Sequence, residues 1–288
     1  MKKQICLVTG ATDGVGRATA ANLAGKGFTV VLAARNAVKA EMVKKEIIAA
    51  TGNADVEYII ADLRSRSEIR QLAETFRQRH PVLDVLVNNA GITAPARVLT
   101  DDGNETTFQV NYLSHFLLTH SLLTCLKKSE QGRIINLTSN VYGMGKFDVN
   151  NLQGENHFST MGAYSASKLL MLLFTIELAK RLQETRVTAN AVHPGIVKTQ
   201  MMLQAQGLFK VISYLARPFA ISPEKGAVTS VYLASSRDVK GVSGAYFTNC
   251  REKPVRSKFN TEQNRELLWN ISMECLQKQG FMTADAPA

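Results

Sequence analysis

Cysteine is scarce: 288 residues carry four, Cys6, Cys125, Cys250 and Cys275, with no C-x-x-C pair and no metal-ligand spacing. Neither a disulfide scaffold nor a metal site is expected, and reduced thiols in the cytoplasm are. Prolines number only seven, and no Pro/Ser-rich linker, repeat or low-complexity tract interrupts the chain. No domain boundary is therefore placed, and residues 1–288 are read as a single domain. Long apolar runs are missing too. The longest, Leu169 to Ile176, falls far short of the roughly 20 residues that cross a bilayer. The start, Met1-Lys2-Lys3-Gln4, leads straight into a strand without the apolar stretch of a signal peptide. The expectation is a soluble protein with at most peripheral membrane contact.

The net charge of +10 is spread along the chain. Its densest group, Arg251, Lys253, Arg256 and Lys258, has only Phe259 as an aromatic companion, so no nucleic-acid partner is expected. A solvated face, or attraction to an anionic cofactor, accounts for the charge.

What is present is an alternation. Short apolar strands at Ile5–Val8, Thr29–Ala34, Val56–Ile60, Val82–Val87, Arg133–Leu137 and Val187–Val192 are separated by helical stretches. These are Gly14–Lys26, Ala37–Ala50, Ser67–Arg79, Asn111–Lys127 and Ala163–Gln183. Ser65-x-x-Glu68 reads as a capping box and Ser222-Pro223 as a helix start. Strands apolar throughout and joined by helices are parallel and buried on both faces. The fold class expected is α/β: a doubly wound, Rossmann-type parallel sheet of about seven strands with helices on both faces.

Thr9-Gly10-Ala11-Thr12-Asp13-Gly14-Val15-Gly16 lies where the first strand turns into the first helix. Glycines there let the backbone approach a pyrophosphate, and the helix N-terminus offers free N–H groups. An acid some 20 residues on would hold the ribose hydroxyls of NAD, yet Arg17 through Ala40 contains none. The second strand ends instead on Arg35, with Lys39 one turn later, a pairing suited to a 2′-phosphate. NADP(H) is favoured and NAD(H) is the alternative, because Asp13 would repel that phosphate unless directed away.

Tyr164 and Lys168 share one helix face at i, i+4. A phenol titrates at about 10, and a nearby cation would lower that value, letting Tyr164 exchange a proton with a carbonyl or alcohol oxygen.

In this order, the turn Thr9–Gly16, Asn88-Asn89-Ala90-Gly91, Ser139, Tyr164-x-x-x-Lys168 and Pro194-Gly195 make the chain, over about residues 4 to 248, resemble the short-chain dehydrogenase/reductase family. The resemblance implies an oxidoreductase that moves a hydride between a nicotinamide and a carbonyl or alcohol carbon. It makes Asn111, Ser139, Tyr164 and Lys168 the catalytic residues. Ser139 would bond the substrate oxygen, Lys168 would also hold the nicotinamide ribose, and Asn111 would shape its helix and position a water. It assigns cofactor contacts to Gly10, Thr12, Asp13, Gly14, Val15 and Gly16 in the turn, and to Asp62 and Leu63 by the adenine. Asn88 would approach the adenosine ribose and Thr199 the nicotinamide carboxamide, with Ala90, Gly91, Pro194, Gly195 and Val197 as further cofactor contacts.

The long insert Asn140 to Ala163, the run Ala191 to Val197 and the tail Glu266-Leu267-Leu268-Trp269 are similar to the retinol-dehydrogenase-like branch. Many relatives there have an N-terminal anchor and asparagine-threonine where this chain has Thr12-Asp13, so retinoid specificity is not carried over. A substrate lid is expected at about 199–222, and a C-terminal helical extension at about 260–280. The lid's apolar residues, among them Met201, Met202, Leu208 and Phe209, suit a mostly apolar aldehyde, ketone or retinoid-like substrate. His193 is read as structural. Helices apolar around most of their girth, at Leu113–Leu118 and Leu169–Phe174, suggest a homodimer; the alternative is a monomer whose C-terminal segment covers one of them. The rival function is a nucleotide-sensing binding module with little or no turnover.

Overall fold

The computed structural model describes residues 3–198 and 220–277. In chain order the elements are β1 (Ile5–Thr9), α1 (Gly14–Gly25), β2 (Thr29–Ala34), α2 (Ala37–Thr51), β3 (Val56–Ile60), α3 (Arg66–Arg79) and β4 (Val85–Asn88). A short turn (Thr106–Phe108) and a π-helical turn (Gln109–Leu113) lead into α4 (Ser114–Lys127). Then come β5 (Arg133–Leu137), a 3-10 turn (Asn140–Met144), α5 (Thr160–Arg181), β6 (Thr188–His193), α6 (Pro223–Ser235), β7 (Tyr246–Thr248), β8 (Arg251–Lys253) and α7 (Glu262–Gln277).

The strands form one sheet in the order β3-β2-β1-β4-β5-β6-β7-β8, parallel except for the antiparallel β7–β8 pair. Strand order reverses between β1 and β4, and in such sheets ligands sit beyond the carboxyl ends at that switch point. The sheet has eight strands where about seven were expected. The extra one, β8, is three exposed charged residues, Arg251-Glu252-Lys253, with no apolar period to betray it. Charge on a short edge strand discourages pairing with another chain.

Alternate strand residues feed two cores. Leu7 faces one with α3, α4, α5 and α7, while Cys6 and Val8 face the other with α1, α2 and α6. Burying each large apolar side chain stabilises by about 1.5–3 kcal/mol, so both faces contribute heavily.

Several boundaries follow from caps. β4 starts at Val85 rather than Val82, and just before it Leu83 turns its N–H to the Cys125 carbonyl instead of a neighbouring strand. α5 starts at Thr160, before the expected Ala163, because Ser159 accepts from the Gly162 N–H. The capping box is only half formed: Ser65 accepts from the Glu68 N–H, but the Glu68 carboxylate accepts from the Asp62 N–H. Ser222 caps α6 with Pro223 in its first turn.

α7 covers α4 and α5. Trp269 lies edge-on to Phe116 at 5.2 Å and stacks against the Arg181 guanidinium at 4.1 Å, and Tyr112 and Ser272 share a 2.6 Å hydrogen bond. Buried Arg66 pins the helix end by donating to the Cys275 carbonyl. The homodimer expected through these helices therefore meets a face already covered, as in the monomeric alternative.

Candidate active site

The glycine turn leaves β1 under close constraint. Gly10 has φ +62°, and a Cβ there would press on the Ala90 backbone at 3.0 Å. A Cβ on Gly16 would collide with the Asn89 amide and the Gly10 carbonyl. Asn89 holds this approach by donating to the Thr9 carbonyl at 2.7 Å, and the Asn89 and Ala90 N–H groups both donate to the Thr9 hydroxyl. Thr12, Asp13 and Gly14 line the partly exposed rim, while Val15 turns its side chain into the core and leaves its N–H for a ligand. This cradle, with the N-terminus of a 12-residue helix behind it, fits the pyrophosphate of a dinucleotide.

Asp13 accepts from the Gly14 N–H at 2.7 Å, capping α1, and pairs with Lys39 Nζ at 2.9 Å. Arg35, at the end of β2, is exposed and makes no hydrogen bond or ion pair with a described residue. Burial pushes the Asp62 carboxyl up, but hydrogen bonds and charge from Arg64, with the Arg35 charge behind them, outweigh it and hold the group below the usual carboxylate range. Leu63 packs toward the core.

Asn88 departs from expectation. Its side chain is buried, donating to Thr119 at 3.0 Å and Asn136 at 2.8 Å, because β4 is central and that face is interior. Only its main chain is left for a ribose. Ala90 and Gly91 are partly exposed beside the turn. Pro194 and Gly195 (φ +92°) follow β6, and Val197 is buried and bridged to Ile221. Thr199 and residues 199–219 of the expected lid lie outside the described residues.

Ser139, Tyr164 and Lys168 come together at the carboxyl ends of β5 and β6. Ser139 ends the chain leaving β5, caps the turn at Asn140–Met144, and hydrogen-bonds the Tyr164 phenol. Lys168 is buried, donates to the Leu137 carbonyl at 3.2 Å and stands 5.6 Å from the centre of the Tyr164 ring. Burial holds its ammonium down to about 8. The expected lowering of Tyr164 is not found in the chain itself. Burial pushes the phenol up to about 12, against a smaller opposite pull from the Ser139 hydrogen bond. Desolvation of both groups outweighs their mutual attraction.

Asn111 sits in the π-helical turn. Its amide accepts from the Ile92 N–H at 2.7 Å and donates to the Ile92 carbonyl and Ser167 hydroxyl, both at 3.0 Å. It thus ties α5, beside Lys168, to the loop after β4. Single-turn π bulges often mark functional positions in helices. His115, whose spacing of i+4 from Asn111 was the available signal, was not singled out in the sequence, yet its ring contacts both Asn111 and Thr9.

A dinucleotide cradle at the switch point, with partly exposed Ser139 and Tyr164 and buried Lys168 beside it, defines a nicotinamide-dependent oxidoreductase. Residues 4–207 match the model of the short chain dehydrogenase family. The chain is 41% identical over 273 residues to retinol dehydrogenase 12 of Mus musculus, covering 95% of this chain and 86% of the relative. It is 40% identical over 291 residues to retinol dehydrogenase 14 of Homo sapiens, covering 94% and 86%. Among solved structures, an uncharacterized protein from Mycobacterium Paratuberculosis superposes with TM-score 0.75 at 29% identity, covering 95% of this chain and 93% of that one. Actinorhodin polyketide ketoreductase, solved with NADPH, gives 0.68 at 26%, covering 86% and 96%. The chain belongs to the short-chain dehydrogenase/reductase family, in its retinol-dehydrogenase-like branch.

Proposed function

We propose that the protein interconverts a carbonyl and an alcohol on a mostly apolar molecule using NADP(H). The observation that carries the cofactor choice is the Lys39–Asp13 pair. It occupies the one acid in the turn and leaves the fork of Arg35 available to a 2′-phosphate. The ketoreductase solved with NADPH supports the same choice. Gly10 to Gly16, Asp62, the backbone at Asn88 to Gly91, and Pro194 to Val197 would hold the cofactor, whose nicotinamide supplies the hydride.

The chain's own residues handle the proton. Tyr164, kept protonated by burial, donates to the carbonyl oxygen during reduction, and Ser139 donates a second hydrogen bond to that oxygen. Lys168, uncharging at about 8, restores the proton within the working range, and Asn111 fixes the segment beside it. Apolar side chains exposed on the segments after Ser139 and Gly195, namely Met144, Val149 and Ile196, support an apolar substrate. So does the name retinol dehydrogenase carried by the relatives. α5 is the one described helix long and apolar enough to cross a bilayer, but it is the mostly buried core helix bearing Tyr164 and Lys168. We place the enzyme in the cytoplasm, in keeping with four scattered cysteines that form no disulfide scaffold, acting as a single-domain monomer.

The test is NADPH oxidation, followed at about 340 nm as the nicotinamide loses its hydride, with aliphatic, aromatic and retinoid aldehydes and ketones. Turnover on apolar members is expected. Tight NADPH binding with no turnover on any member would favour the nucleotide-sensing alternative.

A further inference from the structure

His115 lies outside the roles above, yet it is fully buried with both ring nitrogens engaged. It sits at the start of α4, one helical turn after Asn111, with Nδ1 at 3.3 Å from the Asn111 main-chain oxygen. On the opposite side Nε2 is 3.0 Å from the Thr9 hydroxyl, where β1 enters the glycine turn. That same hydroxyl receives the N–H groups of Asn89 at 2.9 Å and Ala90 at 3.0 Å. One imidazole therefore spans the distance between the cofactor cradle and the π-helical turn.

Counting protons fixes the directions of these bonds. The Asn111 carbonyl can only accept, so Nδ1 must carry hydrogen. Burial, with the Lys168 charge adding to it, outweighs the Asn111 hydrogen bond and keeps the ring neutral down to about 3. A neutral ring has one proton, so Nε2 is bare and accepts from Thr9. The Thr9 proton then goes to His115 rather than to the Val87 carbonyl at 3.4 Å. Its lone pairs are left for Asn89 and Ala90, and every polar atom of the group is satisfied.

We propose that His115, as the neutral Nδ1–H tautomer, is a positioning residue that locks the glycine turn to the Asn111 segment and so sets the cofactor cradle against Lys168 and Tyr164. This rests on the oxidoreductase reading of the site. The physical demand is specific: one donor toward Asn111 and one acceptor toward Thr9. Glutamine can supply both; leucine, of similar bulk, supplies neither, taking the side-chain donor from the Asn111 carbonyl and leaving the Thr9 proton only the longer reach to the Val87 carbonyl.

Two measurements test it on the full chain. In nitrogen-15 histidine spectra, the His115 resonances, assigned by their loss in His115→Gln, should show a protonated Nδ1 and a bare Nε2 at neutral and mildly acid pH. An Nε2–H tautomer or a charged ring there would overturn the proposal. This readout needs no substrate, so it stands apart from the catalytic reading, whose failure would show as an inactive parent protein. In kinetics, His115→Leu should lose about 10- to 100-fold in kcat/KM, the cost of removing a hydrogen bond from each of two buried polar groups. The loss should fall on kcat and the NADPH KM, with the carbonyl KM little changed, and His115→Gln should recover most of it. A fully active leucine variant sinks the idea. If the leucine variant does not fold, the glutamine variant decides: turnover near the parent supports the proposal, and lost turnover at unchanged Tm refutes it.

Discussion

Lys39 Nζ lies 2.9 Å from Asp13 Oδ2, so the only acid in the phosphate-binding turn is paired from α2 while its other oxygen caps α1. This pair leaves cofactor choice to Arg35. Arg35→Ala should weaken NADPH about tenfold, the loss of roughly 1.4 kcal/mol of charge-assisted bonding, and leave NADH nearly unchanged. Lys39→Ala should act in the same direction by releasing the Asp13 charge. Fluorescence titration with both cofactors decides, and an equal effect on each would argue that Arg35 does not read the 2′-phosphate.

Tyr164→Phe should lower kcat by about 10²- to 10⁴-fold, the usual size of an acid–base contribution, while cofactor affinity holds. Turnover close to the parent would remove Tyr164 from the mechanism.

Lys168 trades stability for function. Burial lowers its folded value from 10.5 to about 8, so between these limits the unfolded chain binds the extra proton. The cost of burying the charge is full below about pH 8 and is relieved as pH rises through that window. Lys168→Met should therefore lose activity yet raise Tm at neutral pH. A lower Tm would show that its bond to the Leu137 carbonyl is worth more than desolvation costs.

On the acid side, His115, His120 and His193 are held neutral by burial, to about 3, 4 and 4 against an ordinary 6.5. The unfolded chain takes up protons first, so stability should fall as pH drops from 6.5 toward 4. His120→Leu, in its aromatic nest of Phe116 and Trp269, should make that fall shallower in thermal melts across this range. An unchanged slope would mean His120 does not contribute.

Trp269→Ala should cost about 3–5 kcal/mol, as large aromatic truncations do, and uncover Phe116 and Phe174. Light scattering should then show concentration-dependent association through α4 and α5. A variant as monodisperse and stable as the parent would mean that α7 is not what covers that face.

Much of the site was legible because its chemistry is local. Tyr164 and Lys168 are one helical turn apart, and the glycine turn is a contiguous run from Thr9 to Gly16, so spacing alone aligns them. Asn88 misled for the converse reason: it stands in a strand, and only the packing of its neighbours tells which face is interior. The Ser139–Tyr164 bond crosses from β5 to α5, and the upward shift of the phenol depends on burial that no pattern reports.

The alternation of apolar strands and amphipathic helices determined by itself the doubly wound sheet, and the glycine run placed the turn beyond β1, whereas Asn111, Ser139, Tyr164 and Lys168 were named through the family resemblance. The sheet and the turn follow from periodicities and spacings of a few residues. Tertiary structure alone decided the rest: the Lys39 partner of Asp13, the cover of α7 over α4 and α5, and the link from Thr9 through His115 to Asn111. Each joins groups far apart in the chain or on different elements, and their energies come from desolvation and contact geometry, which exist only once the chain has folded.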